Sequence, residues 1–400
     1  MRRMVESTFE VAIAGNGLIG ASLALALGQG GVRTALIDSD AAPVASTRSD
    51  EPAHCDRWDA RIYAVSPASV SFLDALGAWR RLDAGRIEAC TQMEIYGDRS
   101  SRLAFDAYEA GVPALAHMLE SSALLKALSD ALGSSDSVTV LHSDRVVGMV
   151  RSAASVRVDL ASNRSLQCGL LIGADGAHSN VRERAGIPAR EHDYRELAVV
   201  ANFAATEPHF GTAFQWFRGD SVLALLPLPG KRVSMVWSAH LADANKLMAL
   251  SDTGLADAVS AATARRLGRL DVITSAKSFP LIRVTVPDPI ADRIALIGDA
   301  AHVVHPLAGQ GVNLGFGDAR ALARVIIERG PIADPGNARL LRRYRRQRAE
   351  PIIAMLAATH GLHALFELPG SLPALLRNAG LNLTQRLPVL RSLLARRAMG

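Results

Sequence analysis

The chain is poor in cysteine and in aromatic residues. Its three cysteines, Cys55, Cys90 and Cys168, are widely spaced and form no CxxC pair. This argues against a disulfide framework or a structural zinc site and favours a reducing compartment. Aromatic residues make up 5% of the chain, and no nucleic-acid-reading motif accompanies the arginines. We therefore predict no nucleic-acid partner.

The end of the chain lacks acidic residues. None follows Glu367, and the segment 368–400 is rich in leucine and arginine. Upstream, residues 339–348 read RLLRRYRRQR. A solvated helix face followed by a packed terminal helix is one interpretation, and contact with an anionic membrane surface or an acidic partner is the other. Both stay open at this point.

An apolar run at residues 11–28 has the length of a signal-peptide or membrane segment. Three glycines, Asn16 and Ser22 interrupt it. These residues suit a dinucleotide-binding turn better than a membrane helix, so we predict no targeting segment and no transmembrane helix here.

The sequence GNGLIG spans Gly15 to Gly20, between two strand-like runs. The second of these runs ends at Asp38. A dinucleotide-binding βαβ unit has glycines for the turn, a pyrophosphate at the helix N-terminus, and an acidic residue about 20 positions further on for a ribose. The spacing therefore predicts a dinucleotide site at the start of the chain.

A second glycine-rich stretch, RIALIGDAAHVVHPLAGQGVNLGFG, covers residues 293–317. Its apolar run predicts a strand that leads to Gly298 and Asp299, and an Asp in this position can accept hydrogen bonds from a polyol chain. Glycines at 309, 311 and 315 let the backbone approach a flat ring and expose peptide N–H groups at a helix N-terminus. The alternative is a tight strand-to-helix turn without a ligand.

A third segment, GADGAHSNVRERAG, begins at Gly173. Asp175 and Gly176 after a strand are often only a turn. Ser179 and Arg182 make the pattern more specific, because they add a cation and a hydroxyl to the acid near one phosphate-sized site.

Between these segments, four β-runs follow one another from residue 197 to residue 238, separated by polar or Pro/Gly turns. This pattern is typical of an antiparallel sheet. With 400 residues, 49% of them apolar, the chain can hold two domains. We therefore predict an α/β fold: a Rossmann-like domain built from discontinuous segments, an inserted and mainly antiparallel β-sheet domain, and a C-terminal helical tail.

Helical spacing of apolar residues predicts three further helices. Leucines 124, 125, 128 and 132 predict one buried stripe in a helix over 120–132. Helices are also predicted over 241–250 and 255–267.

Three aromatic residues lie in the antiparallel block. Trp216, Phe217 and Trp237 fit either ordinary sheet core or the lining of an apolar pocket.

The motifs together resemble the FAD-dependent hydroxylases of ubiquinone biosynthesis, within the flavoprotein monooxygenases similar to para-hydroxybenzoate hydroxylase. The resemblance runs through the whole chain and rests on GNGLIG, DARIYAVSPAS, GADGAHSNVR, RIALIGDAAHVVHPLAGQGVNLG and the terminal AMG. It implies an FAD-binding domain from residues 1–75, 115–185 and 285–340. The substrate domain would comprise 76–114 and 186–284, and the helical region 341–400.

The resemblance also implies a cofactor site built from all three motifs. The glycine turn would hold the pyrophosphate, Asp38 the adenosine ribose and Asp299 the ribityl chain. Pro306, Gly309 and Gln310 would frame the flavin ring and are the implied catalytic positions. The implied cofactor-binding residues are Gly15, Gly17, Leu18, Ile19, Gly20, Asp38, Arg61, Asp175, Arg182, Gly298, Asp299, Gly309, Gln310, Gly311, Val312 and Asn313.

Two residues depart from the family pattern. Asp38 replaces the more common Glu, which shortens the reach to the ribose but keeps the chemistry. Asn16 replaces a small residue inside the glycine turn, and turns of this kind accept Asn.

The implied reaction uses FAD, NADH or NADPH, and O₂. A flavin hydroperoxide would transfer one oxygen atom to the ring of a polyprenylated phenol. No metal is implied, and the three-residue spacing of His302 and His305 favours structural hydrogen bonding over ligation. The predicted location is cytoplasmic, with peripheral contact to the inner membrane or to a biosynthetic complex left open. Alternatives are a hydroxylase of a small soluble aromatic, a flavin halogenase and a non-catalytic FAD-binding subunit.

Overall fold

Three β-sheets form the framework of the protein in a computed structural model. The structure describes residues 5–41, 58–97, 101–219, 221–305, 309–330 and 332–367. The strands, in chain order, are Val5–Ala14 (β1), Thr34–Ile37 (β2), Ile62–Val65 (β3), Glu88–Cys90 (β4), Gln92–Tyr96 (β5), Arg102–Asp106 (β6), Ala116–Glu120 (β7), Val138–Leu141 (β8), Val146–Arg151 (β9), Val156–Leu160 (β10), Ser165–Gly173 (β11), Arg190–Ala205 (β12), Thr212–Arg218 (β13), Ser221–Leu228 (β14), Arg232–His240 (β15), Leu270–Val272 (β16), Lys277–Thr285 (β17), Ile290–Ala291 (β18), Ile294–Leu296 (β19) and His302–Val303 (β20).

Helices cover these sheets, and a short 3₁₀ turn, Gly298–Ala300, follows β19. The helices are Leu18–Gln29 (α1), Pro67–Ala75 (α2), Ala107–Ala110 (α3), Ser121–Leu132 (α4), Asn180–Arg184 (α5), Leu241–Met248 (α6), Asp252–Ala262 (α7), Gly311–Ile327 (α8) and Ala338–Glu367 (α9).

The first sheet has the order β18-β19-β11-β1-β2-β8, and β9 and β10 extend it beside β11. Its central strands β19, β11, β1, β2 and β8 pair in parallel. Ala14 is aligned with Gly173, and Gly173 with Leu296. The carboxyl ends of β1, β11 and β19 therefore meet at one edge, which brings the three motifs of the sequence together. This confirms the predicted Rossmann-like sheet.

Apolar residues on both faces of this sheet explain its parallel form, because parallel strands require cover on each side. One face packs against α1, α4 and α8, with Leu23, Leu124 and Phe316 in the core. The other face contributes a second core that includes Ala12, Leu171 and Val181.

The second sheet has the order β20-β17-β12-β15-β14-β13-β5-β6, with β16 beside β12. Its pairs are antiparallel except β5 with β13, which run in parallel. Helices α6 and α7 cover one face, where Val199, Ala201 and Phe203 of β12 meet Leu255 and Val259 of α7. The sheet confirms the predicted mainly antiparallel block and shows that β5 and β6, from an earlier part of the chain, extend it.

Two helix predictions need correction. Leu125 is 38% exposed, so the buried stripe of α4 is formed by Leu124, Leu128 and Leu132 without it. Helix α7 ends at Ala262, not at residue 267, since Ala264 has a φ of 49° and Arg265 a φ of 55°. These left-handed conformations cannot continue a right-handed helix.

Trp216 belongs to the core of the second sheet. Its ring stacks on Tyr96 at 5.4 Å and lies 5.8 Å from Phe214. Trp237 packs against the same core, on the face covered by α6 and α7. Ordinary sheet core is therefore the better description of these two tryptophans.

The described cysteines are buried in the protein interior. Burial raises the pKa of Cys90 and that of Cys168 to about 12, so both thiols stay protonated at neutral pH. Cys55 lies outside the described residues. Within the described ranges, no helix is long and apolar enough to cross a membrane.

Candidate functional site

The glycine turn after β1 is set by close backbone packing. Gly15 has a φ of 106°, and a Cβ there would lie 2.3 Å from the carbonyl oxygen of Ala174. A Cβ on Gly20 would lie 1.9 Å from the carbonyl oxygen of Gly15, whereas one on Gly17 would meet nothing within 4 Å. Gly15 and Gly20 are thus required by the fold. Gly17 faces open space at the N-terminus of α1, which is where a phosphate group would be bound.

Asp38 follows β2 and is held beside this turn. Its carboxylate accepts hydrogen bonds from the Asn16 side-chain amide at 2.9 Å and from the backbone N–H of Asp40 at 3.0 Å. His142 Nδ1 lies 3.3 Å from the same carboxylate. The other end of the Asn16 amide, Oδ1, is buried without a hydrogen-bond partner. The Asn16 side chain and the Asp40 backbone therefore fix the position of the Asp38 carboxylate.

Asp299 lies in the turn after β19. Its side chain is exposed, yet the surrounding protein raises the pKa of its carboxyl through desolvation, against the opposing effects of His302 and Arg61. The carboxyl is thus accessible, while the protein around it removes part of its water. An accessible acidic side chain of this kind fits the hydroxyl groups of a polyol such as the ribityl chain of FAD.

A buried carboxylate beneath this turn holds it in place. Asp318 of α8 accepts hydrogen bonds from the backbone N–H of Gly298 at 3.0 Å and from Arg348 Nε at 2.7 Å. His302 Nε2 lies 2.6 Å from it. Burial alone would raise the pKa of Asp318, but His302 and Arg348 lower that pKa below its ordinary value. The sequence patterns did not identify Asp318 or Arg348, although an Asp within the apolar face of α8 was a signal that it needed a partner.

The Asp–Gly segment after β11 also stabilises the turn that contains Asp299. Arg182 donates hydrogen bonds to the carbonyl oxygens of Ala300 at 2.9 Å and Ala177 at 2.7 Å. Asp175 accepts from the Ser179 hydroxyl. The guanidinium of Arg182 therefore braces the backbone next to Asp299, and a direct contact of Asp175 or Arg182 with a cofactor stays a prediction.

Arg61 precedes β3 and reaches toward the second sheet. Its guanidinium lies 4.6 Å from the ring centroid of Phe279 on β17. Its charge also lowers the pKa of Asp299, so Arg61 lies between the Asp299 turn and the second sheet. A contact of Arg61 with FAD stays a prediction.

Asn313 connects α2 to the start of α8. Its Oδ1 accepts from the Ser66 backbone N–H and the Ser69 hydroxyl, both at 2.9 Å. Its Nδ2 donates to Ala64 O at 2.9 Å and to Gln310 Oε1 at 3.1 Å. The side-chain amide is fully engaged by protein, so a contact of Asn313 with a cofactor would involve its backbone. Ser66 caps α2 by accepting a hydrogen bond from the Ser69 N–H.

The remaining predicted residues lie around the same edge. Ile19 of α1 packs against Gly298 and Gly315, where an added Cβ would approach its side chain to 3.3 Å and 2.7 Å. Gly309 has a φ of 60° and lies against Ala64. Gln310 caps α8, and Gly311 and Val312 form its first turn, while Leu18 is the corresponding first residue of α1. Pro306 lies outside the described residues, so its place at the flavin ring stays a prediction.

The two histidines of this region approach different carboxylates. His302 contacts Asp318, whereas His305 Nε2 lies 3.4 Å from Glu196 Oε2 of the second sheet. The hydrogen bond of His302 is the structural role that its spacing favoured. Across the described ranges, no cluster of three or more potential metal ligands occurs.

Comparisons with known proteins agree with this geometry. A family model described as an FAD binding domain matches residues 8–359. The chain is 32% identical over 400 residues to the 3-demethoxyubiquinol 3-hydroxylase of Escherichia coli K12, covering 99% of this chain and 100% of that protein. It is 30% identical over 392 residues to the ubiquinone hydroxylase UbiL of Rhodospirillum rubrum, covering 98% and 89%.

Among solved structures, the fold is similar to that of pqsL, a probable FAD-dependent monooxygenase from Pseudomonas aeruginosa. The TM-score is 0.75 with 23% identity, over 94% of this chain and 100% of pqsL. The glycine turn, the Asp38 carboxylate and the accessible Asp299 all fit FAD. The chain therefore belongs to the FAD-dependent hydroxylases of ubiquinone biosynthesis and is an FAD-dependent monooxygenase.

Proposed function

We propose that the substrate of this monooxygenase is the ring of a polyprenylated phenol in ubiquinone biosynthesis. The observation that carries the proposal is the match of 32% identity, over 99% of the chain, to a 3-demethoxyubiquinol 3-hydroxylase. Both proteins are covered almost completely, so the similarity includes the second sheet as well as the FAD-binding part.

FAD, when bound, supplies the redox chemistry by accepting a hydride from NAD(P)H and activating O₂ for insertion of one oxygen atom. We propose that Gly17 and the N-terminus of α1 bind the pyrophosphate, because they offer open space and free N–H groups. Asp38 would accept hydrogen bonds from the adenosine ribose and Asp299 from the ribityl chain. Arg61 would face the flavin from the side of the second sheet.

The phenol ring would bind on the face of the second sheet opposite α6 and α7. Side chains alternate along a strand, so Ala198 and Val200 of β12 project away from the core that contains Val199 and Ala201. Val236 is aligned with Val200, and Phe279 with Ala198. Residues aligned across neighbouring strands share a face. Because Arg61 contacts Phe279, this apolar face is directed toward the proposed flavin site.

Such a surface would orient an aromatic ring. It would also exclude water, which protects reactive intermediates of an oxygen-dependent reaction from side reactions. We also propose the domain division that the sequence predicted, and the same geometry supports it. Residues 1–75, 115–185 and 285–340 would bind FAD, residues 76–114 and 186–284 would supply the substrate face, and residues 341–400 would form the helical region.

The test is quinone profiling in a ubiquinone-deficient bacterial host. Strains that each lack one ring hydroxylase would express this chain, and the extracted quinones would be identified by mass. Rescue of one strain would name the ring carbon, and rescue of several would indicate a broad-specificity enzyme. No rescue by a protein that retains FAD would contradict the proposal.

If no strain is rescued, a second measurement distinguishes a hydroxylase of a small soluble aromatic from a non-catalytic FAD-binding subunit. NAD(P)H consumption by the purified protein would be followed with short soluble phenols. Stoichiometric hydroxylation of a soluble phenol without rescue would identify a small-aromatic hydroxylase, while FAD binding without NAD(P)H consumption would identify a non-catalytic subunit.

A further inference from the structure

Helices α8 and α9 form an antiparallel pair at the surface of the FAD-binding part. Arg348 of α9 donates a hydrogen bond to the carbonyl oxygen of Leu314 at 3.0 Å, near the start of α8. Arg343, earlier in α9, pairs with Glu328 just after the end of α8. Helix α9 therefore runs back along α8, and the outward sides of both helices belong to one surface.

Five exposed arginines lie on this surface and have no carboxylate partner within the part of the chain that the structure describes. We call them the arginine face. They are Arg320 and Arg324 on α8, and Arg339, Arg342 and Arg346 on α9.

Several carboxylates of the surrounding elements are committed elsewhere, and Glu350 contributes one negative charge to α9, four residues after Arg346. Four of them each pair with a different arginine outside the arginine face, at 2.5 to 2.7 Å. These pairs are Glu328 with Arg343, Asp288 with Arg345, Asp334 with Arg293, and Asp318 with Arg348.

The positive charges also affect one another. Partial desolvation, together with the charges of Arg348 and Arg324, lowers the pKa of Arg320. Like charges at i and i+4 on a helix destabilise it. An anionic ligand would remove that repulsion, whereas water and salt only screen it.

Exposed isoleucines accompany the arginines. Ile327 follows Arg324 by three residues on α8 and is 39% exposed, and Ile332, in the connection to α9, is 97% exposed. Ile353 is 65% exposed. Arg339 and Arg346 are seven residues apart and share one face of α9, and Ile353 follows after a further seven residues, beyond Pro351 in the same helix. Aliphatic side chains among arginines are typical of segments that lie on an anionic bilayer, where the aliphatic groups enter the headgroup region and the arginines contact lipid phosphates.

We propose that the arginine face, with Ile327, Ile332 and Ile353, docks the protein on the surface of an anionic lipid bilayer. The sequence beyond Glu367 supports a lipid rather than a protein partner, since it adds five arginines and no acidic residue. The inference rests on the proposed function in one respect: a polyprenylated substrate resides in the bilayer, so docking would bring the enzyme to it.

The experiment compares full-length, FAD-loaded proteins in sedimentation with vesicles that contain phosphatidylglycerol and with vesicles of phosphatidylcholine alone. The test variant carries Arg320→Gln, Arg339→Gln and Arg346→Gln. Each arginine near an anionic surface contributes about a fivefold factor to binding, so the triple variant should bind the anionic vesicles about a hundredfold more weakly. Ile332→Ser should weaken binding severalfold without changing its dependence on salt.

The matched control removes the same charge elsewhere. Arg184→Gln, Arg190→Gln and Arg218→Gln alter exposed arginines that lie outside α8 and α9 and also have no carboxylate partner among the described residues. This control should bind anionic vesicles within about threefold of the wild-type protein. Equal losses in test and control, no loss in the test variant, or equal binding of wild type to both vesicle types would each overturn the proposal.

Turnover of a short-chain prenylphenol in detergent keeps the two proposals apart. It does not require docking, so the test and control variants should both retain it. If the wild-type protein binds anionic vesicles but turns over no prenylphenol, the proposed substrate is wrong and the docking face stands. If turnover is intact but binding is independent of the arginine face, the docking proposal fails alone.

Discussion

The side-chain amide of Asn16 lies 2.9 Å from the carboxylate of Asp38, so the glycine turn and the end of β2 are joined by a direct hydrogen bond. The two residues depart from the family pattern at positions 22 residues apart. Asp is one methylene shorter than Glu, and a donor from the glycine turn fixes where its carboxylate lies. We infer from this hydrogen bond that one departure compensates for the other.

This compensation predicts a non-additive double mutant. Asn16→Gly alone should weaken FAD binding roughly tenfold or more, because a hydrogen bond to a charged group contributes about 1.5–3 kcal/mol. Asp38→Glu alone should also weaken it, since the longer side chain meets Asn16. The double variant should recover most of the loss, and FAD titration by fluorescence quenching would measure the coupling. Additive losses would show that Asn16 and Asp38 act independently.

Asp299→Ala should produce a largely colourless protein. The substitution removes the carboxylate that we expect to bind the ribityl chain. The measurement is the ratio of flavin to protein absorbance after purification, with Asp288→Ala as a surface control. A fully yellow Asp299→Ala protein would show that the cofactor is held without this carboxylate.

Asp299 should make the thermal stability of the apoprotein depend on pH. A carboxyl whose folded-state pKa is raised binds its proton more tightly in the folded than in the unfolded state. It therefore reduces stability once the pH rises above its unfolded pKa of about 4. Apo Asp299→Asn should melt at a higher temperature than apo wild type near pH 7, and the difference should vanish at low pH. A difference that grows toward low pH would have the wrong sign.

Arg348→Met should destabilise the protein by about 3–5 kcal/mol, because it removes the arginine that pairs with the buried Asp318 carboxylate and leaves His302 as its remaining charged partner. Arg343, on the same helix as Arg348, forms an exposed pair with Glu328 at the end of α8, so Arg343→Met should cost less than about 1 kcal/mol. Urea unfolding of both variants measures the contrast. Adding Asp318→Asn to Arg348→Met should restore part of the stability, and a further loss instead would mean that Asp318 acts through other partners.

Deletion of residues 368–400, which lie outside the described residues, should weaken binding to anionic vesicles more than binding of FAD. The segment contributes five arginines and no acidic residue. Vesicle sedimentation and FAD titration on the same preparation test this. Unchanged vesicle binding would assign the segment to packing.

The parts of the fold that follow from local patterns were predictable. Gly15, Gly17 and Gly20 at fixed offsets between apolar runs indicate the turn between β1 and α1, and Ser66 before Pro67 indicates the cap of α2. The antiparallel block was visible because its turns recur at short intervals. Each of these signals is contained within a few neighbouring residues.

What escaped prediction depends on partners that are distant in sequence. Asp318 and Arg348 are 30 residues apart and lie on different helices, so no local pattern joins them. The parallel pairing of β5 with β13 links position 92 to position 212. Leu125 fits the helical spacing, yet the residues that bury Leu124 and Leu128 leave Leu125 exposed. The end of α7 is set by two residues with positive φ that are neither Gly nor Asn.

The arrangement of the first sheet bears on how the protein is made. Strand β1 is translated first but pairs with β11 near position 170, whose next neighbour β19 comes near position 295. Arg348, which holds the Asp299 turn through Asp318, emerges later still. Contacts this distant in sequence slow folding. A nascent chain that ends before Arg348 should therefore lack a finished cofactor site, and we expect FAD uptake to follow the synthesis of Arg348. Retention of FAD by such a stalled chain would refute this order of events.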